Sequence, residues 1–165
     1  MAARRAADPI VHPIVVGLIA DTHALVRPEA LDVLAGVARI VHAGDVGAPD
    51  VLRALARVAP VTAVRGNNDH GAWAARLPET ARIAVGGRRV LVVHEKTHAA
   101  ARTPAAGIDV VVTGHSHRPL VEWRDGVLFV NPGSAGPRRF SLPVTVARLI
   151  VSGDAVDATI VPLAV

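Results

Sequence analysis

Seven side chains able to hold a metal stand at the ends of apolar runs: Asp21 and His23, Asp45, Asn67, His94, and His115 with His117. Each run has the length and the Val, Ile, Leu and Ala content of a buried strand, so five strand ends carry the set. In open α/β sheets the carboxyl ends of parallel strands face one edge, and ligands bind there. The seven side chains are therefore expected to converge. Two Asp, one Asn and four His make an oxygen-and-nitrogen set. That set suits Mn, Fe, Zn, Ni or Co rather than copper(I) or a cluster. Seven donors exceed what one tetrahedral zinc takes and fit two metals that share a carboxylate. Two divalent cations outweigh the charge of the two aspartates, so the site stays positive. It would bind and polarise a phosphate and supply a nucleophile near neutral pH. Singly, the pieces have plain structural readings. Asp-x-His can be a loop or cap, Gly44-Asp45 and Gly66-Asn67-Asn68-Asp69 can be turns, and His94 can be a structural histidine. The ordered combination is what points to a metal centre.

The elements that must position these residues follow from pattern. Residues 14–20 read as a strand, and Pro28 opens a helix with an apolar stripe of Leu31, Leu34 and Val37 plus Ala30 and Ala38. Strands over 39–43 and 61–65 bracket a second helix over about 48–57. This β-α-β-α-β half, with short connections, predicts parallel strands. The second half predicts hairpins at Gly86-Gly87, at Asp125-Gly126 and around Ser152-Gly153-Asp154. A buried strand covers 108–113, a helix or loop 97–107, and a loop runs from Gly133 to Arg139. The expected architecture is one α/β domain over 14–165 with two sheets packed face to face. Residues 1–13 are expected to be a disordered tail.

Composition excludes several classes. There are 165 residues, 51% apolar, enough for a sizeable core. Cysteine is absent, which removes disulfides, thiolate metal sites and cysteine nucleophiles. Only two Trp and two Phe supply aromatic bulk, so small aliphatic side chains must fill the interior. The net charge is +4, and Lys96 is the only lysine. No arginine run with interleaved aromatics occurs, which argues against nucleic acid as a specific partner. A local basic patch better suits an anionic substrate. No segment approaches the ~18 uninterrupted apolar residues of a membrane span. The amino-terminal stretch has no adequate apolar core for a signal peptide, so a cytoplasmic location is expected.

At the seven positions the chain resembles the calcineurin-like metallophosphoesterases, whose motifs run D-x-H, G-D, G-N-x-[D/E], H and G-H-x-H. Here they read Asp21-Thr22-His23, Gly44-Asp45, Gly66-Asn67-Asn68-Asp69, His94 and Gly114-His115-Ser116-His117. More closely, it is similar to the small YfcE-type phosphodiesterases, from about residue 14 to residue 150. It shares their Asn131-Pro132-Gly133-Ser134 stretch. The same fold includes the retromer subunit Vps29, a largely non-catalytic scaffold. The resemblance implies a two-sheet sandwich flanked by helices. It implies two divalent transition metals, manganese first, with Fe, Zn, Ni or Co as alternatives. One would be held by Asp21, His23, Asp45 and His117, the other by Asp45, Asn67, His94 and His115, with Asp45 bridging. A bridging hydroxide would attack phosphorus in line with the leaving group of a small phosphodiester. A phosphomonoesterase on the same site and a Vps29-like scaffold are the alternatives. Retention of all seven ligand positions favours an enzyme over the scaffold.

Four further residues are expected to act on substrate or to orient ligands: Asn68, Asp69, Arg27 and Lys96. Asn68 stands where many relatives have a His that assists the leaving group, which favours diesters and good leaving groups. Asp69 would accept a hydrogen bond from His23 or another ligand, or serve the turn. Arg27, Arg118 and Arg138 could each clamp a phosphate oxygen, and Lys96 could bind one as a point charge. Glu95 replaces a common Gly beside His94 and could bring a carboxylate near the second metal. His42 reads as structural. Trp73 reads as either cleft-lining or packing. The Asn131–Ser134 turn reads as a brace for the His115–His117 loop.

Overall fold

The computed structural model describes residues 11–165 of the chain. Most of the expected tail therefore lies outside the described residues. The first half folds as β1 (Ile14–Ile19), α1 (Pro28–Leu34), β2 (Arg39–His42), α2 (Pro49–Ala56) and β3 (Val61–Ala63). The second half follows as β4 (Thr80–Val85), β5 (Arg88–Val93), α3 (Ala99–Arg102), β6 (Val110–Val112), β7 (Leu120–Arg124), β8 (Val127–Asn131), β9 (Thr145–Ser152) and β10 (Ala155–Pro162). A short 3₁₀ turn, Ala74–Arg76, precedes β4 and had no sequence expectation.

Two five-stranded mixed sheets form, in the orders β10-β9-β1-β2-β3 and β4-β5-β6-β8-β7. As expected, β1, β2 and β3 are parallel. The carboxy-terminal hairpin closes the other edge of β1, with β9 antiparallel to it. In the second sheet β5, β6 and β8 are parallel and the hairpin partners β4 and β7 flank them.

Strand alternation builds the layers. Val16 and Leu18 of β1, Val90 and Val92 of β5, Val110 and Val112 of β6, and Leu149 of β9 meet between the sheets. The intervening Ile19 and Ile40 face α1 and α2, where they join Leu34, Val51 and Leu55. Gly17 lets this layer close: a Cβ there would overlap the Leu34 side chain. On the outer face of the second sheet, Leu91, Val93 and Val111 pack under Ala101 of α3.

α2 falls where it is expected, but α1 is shorter than its pattern suggested. α1 stops at Leu34, and the chain turns through Gly36 in the left-handed region (φ 79°). Val37 is still buried, but Ala38 is exposed. Trp73 packs against the α1–α2 layer, which resolves its two readings toward packing. Among the described residues no helix is long and apolar enough to cross a membrane.

Candidate metal centre

Loops after β1, β2 and β3 of one sheet meet loops after β5 and β6 of the other at one edge of the sandwich. The loop conformations are costly. Asp21 (φ 53°), His23 (47°), Asp45 (52°), His115 (68°) and His117 (58°) all have left-handed backbone. L-residues adopt this region at a cost of roughly 1–3 kcal/mol each, and such strain persists where surroundings over-determine it. Here backbone bonds do so: Asp21 N–H donates to Gly44, His23 N–H to Asp45 and Ala24 N–H to Val46, at 2.8–3.0 Å. The hydroxyl of Ser134 donates to the Asp21 carbonyl (2.9 Å), and Asn131 Nδ2 donates to the Gly114 carbonyl (2.8 Å). The Asn131–Ser134 turn thus clamps both the first and the last ligand loop.

The donor atoms fall into two adjoining groups. In the first, His117 Nε2 lies 3.3 Å from His23 Nε2 and 3.6 Å from Asp21 Oδ1. In the second, Asn67 Oδ1 lies 2.9 Å from His94 Nε2 and 3.0 Å from His115 Nδ1. Asp45 stands between them, with Oδ2 3.9 Å from His23 Nε2 and Oδ1 3.4 Å from His94 Nε2. Ligand-capable atoms within 4.8 Å of one another include the triads Asp21–His23–His117 and Asp21–Asp45–His94. Asp21 thus reaches toward both groups, a closer approach to His94 than the expected division of ligands required.

The electrostatics fit divalent cations. Burial, helped by the charge of Asp45, raises the Asp21 carboxyl to about 7 despite the opposing pull of His94. Burial also acts to raise Asp45, but the His94 imidazole and the two Asn68 donors outweigh it and hold that carboxyl well below its ordinary value. Burial opposes a charge on His94, yet Asp45 and the Ala43 carbonyl raise its pKa. Burial lowers His117 to about 4, with Arg139 and His23 adding to the effect. His23 is lowered by the same cause. His94 Nδ1 donates to the Ala43 carbonyl (2.8 Å), which leaves Nε2 as the donor atom toward the site. Two buried carboxylates facing imidazole nitrogens are a donor set a metal would complete.

Metal ligation requires deprotonated donors, so protons compete with metal. A raised Asp21 pKa stabilises the metal-free fold at low pH, and that contribution is lost as pH rises from about 4 through about 7. The lowered His117 acts oppositely, costing stability as pH falls from about 6.5 toward about 4. Cation binding answers both terms in one direction. The rise in Tm produced by Mn²⁺ over chelator should grow between about pH 5 and about pH 8. Thermal melts in matched buffers check this, and a pH-independent increment contradicts it.

The expected accessory residues divide. Asn68 is at the site, and it grips Asp45: its amide donates to Oδ1 (2.9 Å) and its Nδ2 to Oδ2 (2.7 Å). Asp69 is buried beneath, but its partners are backbone, not His23. Oδ1 accepts from Gly47 (2.8 Å), and Oδ2 from Val46 (3.1 Å) and Gly66 (2.8 Å). It ties the β2 loop to the β3 loop. Asp69→Ala would leave three amides without their acceptor, at about 1–3 kcal/mol for each one that stays buried. The urea midpoint should drop accordingly, with Mn²⁺ affinity falling alongside it. An unchanged midpoint contradicts this role.

The Arg27 guanidinium bonds the Gly136 carbonyl (3.1 Å). Lys96 is exposed and lines a cleft on the outer face of the second sheet. Arg138 donates to the Val165 carbonyl (3.1 Å), and Arg118 is exposed on the same cleft as Lys96. Glu95 borders a hollow of about 350 Å³ beside Asn67 and His94. Its carboxylate accepts from the Thr97 hydroxyl (3.2 Å).

One feature, Arg139, escaped the sequence, while His42 has the structural role expected of it. The exposed Arg139 lies close enough for its charge to act on Asp21, His23 and His117. Its neighbour Arg138 was the more obvious choice, and sequence alone cannot tell which of two adjacent arginines faces a site. His42, fully buried, spans the Thr22 hydroxyl (Nε2, 2.9 Å) and the Gly44 amide (Nδ1, 3.2 Å). Thr22 in turn donates to the Val46 carbonyl. Burial lowers His42 to about 3, so it is a neutral strut between the first two ligand loops.

With the geometry in view, comparison with known proteins is informative. Residues 14–154 match the calcineurin-like phosphoesterase superfamily domain. A protein named "Probable metallophosphoesterase" from Methanothermobacter thermautotrophicus is 32% identical over 158 residues, covering 88% of this chain and 91% of that one. Vacuolar protein sorting 29 from Cryptosporidium parvum superposes with TM-score 0.78 at 20% identity, covering 92% of each chain. A structure described as a novel archaeal phosphodiesterase gives TM-score 0.75 at 20% identity, covering 90% of this chain and 100% of that one. The order of the motifs, the two-sheet fold and the family match agree: the chain belongs to the calcineurin-like phosphoesterase superfamily.

Proposed function

We propose that the protein is a metal-dependent phosphodiesterase that hydrolyses small phosphodiesters at a dinuclear site. The observation that carries this reading is the position of Asp45, one carboxylate oxygen toward His23 and the other toward His94. Asp21, His23 and His117 would complete one metal position, and Asn67, His94 and His115 the other, with Asp45 shared. Two cations held there, manganese being the first choice, would polarise the phosphate and supply a hydroxide nucleophile near neutral pH.

The chain's own residues do the rest. Asp69 and His42 fix the loops that carry Asp45 and Asp21. Asn68 holds Asp45 in one rotamer and keeps its own amide at the rim of the site. An amide donates a hydrogen bond but cannot deliver a proton, so leaving groups that depart unprotonated are favoured. Arg139 supplies a positive charge on the open side, suited to a phosphate oxygen. Asn67 and His115 are exposed, so the second metal position is open to solvent and to substrates of varied shape.

Chelator-treated protein resupplied with Mn²⁺ should hydrolyse bis-p-nitrophenyl phosphate faster than p-nitrophenyl phosphate. A faster monoester reaction would make the protein a phosphomonoesterase. No turnover of either ester, with two metals bound, would favour the binding scaffold.

A further inference from the structure

The outer face of the second sheet carries a cleft of about 900 Å³ that none of the seven candidate ligands lines. Its floor comes from strand alternation. Leu128 and Val130 of β8 enter the core between the sheets. Val127, Phe129 and Asn131 therefore face outward, with Arg124 and Leu120 of β7 opposite Val127 and Asn131. The segment carrying α3 covers Leu91, Val93 and Val111 and forms the facing wall.

Charge is distributed unevenly in this cleft. Lys96 and Arg102 come from the α3 side, Arg118 and Arg124 from the β7 side, and Asp125 is the one acid among its lining residues. Arg124 is paired with Glu122 (2.9 Å) and lies over the Phe129 ring, 4.8 Å from its centroid. Among the described residues, Lys96, Arg102 and Arg118 have no carboxylate within ion-pair distance. Three unanswered cations facing across one cavity raise the local potential for an anion. The volume lies within the range of ~300–1,000 Å³ typical of small-molecule sites. An inorganic anion alone would leave Leu120, Val127 and Phe129 uncovered. The fitting class is an organic phosphate with a flat, partly apolar body.

We propose that this cleft binds a nucleoside phosphate, its phosphate among Lys96, Arg102 and Arg118 and its ring against the Phe129–Arg124 layer. The inference does not rest on the phosphodiesterase reading, because the cleft shares no ligand with the metal centre. The two are adjacent, however. Ser116 sits between His115 and His117 in the chain and lines the cleft, and Asn131 Nδ2 holds its hydroxyl (3.2 Å).

The test is a titration of the full chain with AMP, in chelator so that the metal centre holds no phosphate, followed by amide NMR shifts. Saturable shifts should cluster on residues 118–120 and 127–131. Arg102→Glu and Arg118→Glu should each weaken binding about tenfold or more, the loss of a charge-assisted hydrogen bond. Arg53→Glu on the remote α2 should leave it unchanged. Adenosine and inorganic phosphate should each bind at least about tenfold more weakly than AMP. Arg102→Gln, an exposed change on α3, repeats the test if Arg118→Glu disturbs the loop. No saturation by about 10 mM AMP would overturn the proposal. So would shifts confined to the metal-ligand loops, equal affinity in the Arg102 variants, or phosphate binding as tightly as AMP.

Discussion

Asp45→Asn is expected to lower phosphodiester turnover by about a thousandfold, roughly 4 kcal/mol of barrier, while the protein stays folded. Asp45 is the carboxylate with one oxygen toward each donor group, so its charge is the one both cations would share. The amide keeps the shape and one acceptor. Asn68, whose two donors now grip Asp45, can turn its own side-chain amide to suit. The substitution also removes a negative charge that helps to raise Asp21. Metal-free stability should therefore change by no more than about 1 kcal/mol. The Mn²⁺-dependent rise in Tm should vanish. Loss of turnover with normal stability and no metal response separates a ligand from a structural carboxylate. Retention of a full Mn²⁺ response in Asp45→Asn contradicts the assignment.

Gly66→Ala is expected to be among the most damaging small changes in the molecule. A Cβ at this position would overlap the amide nitrogen and Oδ1 of Asp45 and lie 2.8 Å from its Cα. These are backbone and buried atoms, so no flexible side chain can move aside. The Asp45 backbone is already strained, and its carbonyl accepts from His23. A shift there therefore moves a second ligand. Overpacking of this kind costs about 1–3 kcal/mol, and the rigid neighbours put this case at the upper end. Metal affinity should fall about 10- to 100-fold, as when a group that orients a ligand is lost. Gly87→Ala is the control. Gly87 has a positive φ but nothing near its Cβ, so it should lose only about 1 kcal/mol and no metal affinity. Urea midpoints and Mn²⁺ calorimetry on both variants check the pair. Equal effects would contradict the contact with Asp45 as the reason Gly66 is necessary.

The site was more legible in the sequence than its supports were. Each of Asp21, Asp45, Asn67, His94 and His115 ends an apolar run, and strand direction alone brings such ends to one edge. Short parallel connections made β1 to β3 readable, and Gly86-Gly87, Asp125-Gly126 and Ser152-Gly153-Asp154 made three hairpins readable. The pairing of β9 with β1 was not readable, because it joins residues more than a hundred positions apart and no local pattern encodes it. The length of α1 was misjudged because Val37 keeps the apolar period after Gly36 has ended the helix. Asp69 illustrates the same limit at the site. Its motif position suggested a ligand partner or a turn role; its two oxygens serve the turn at Gly66 and also reach Val46 and Gly47 in the β2 loop. Arg27 has a similar history: the chain brings the Gly136 carbonyl to it from the far side of the sequence. Local chemistry shows in residue type, but long-range hydrogen bonds do not.

The most direct test of the central claim is a titration of metal-stripped protein with Mn²⁺, following bis-p-nitrophenyl phosphate hydrolysis at each addition. The shared position of Asp45 between two donor groups predicts activity that saturates at two metal equivalents per chain and is absent in Asp45→Asn. Saturation at one equivalent, or turnover without added metal that survives in Asp45→Asn, would contradict a dinuclear centre.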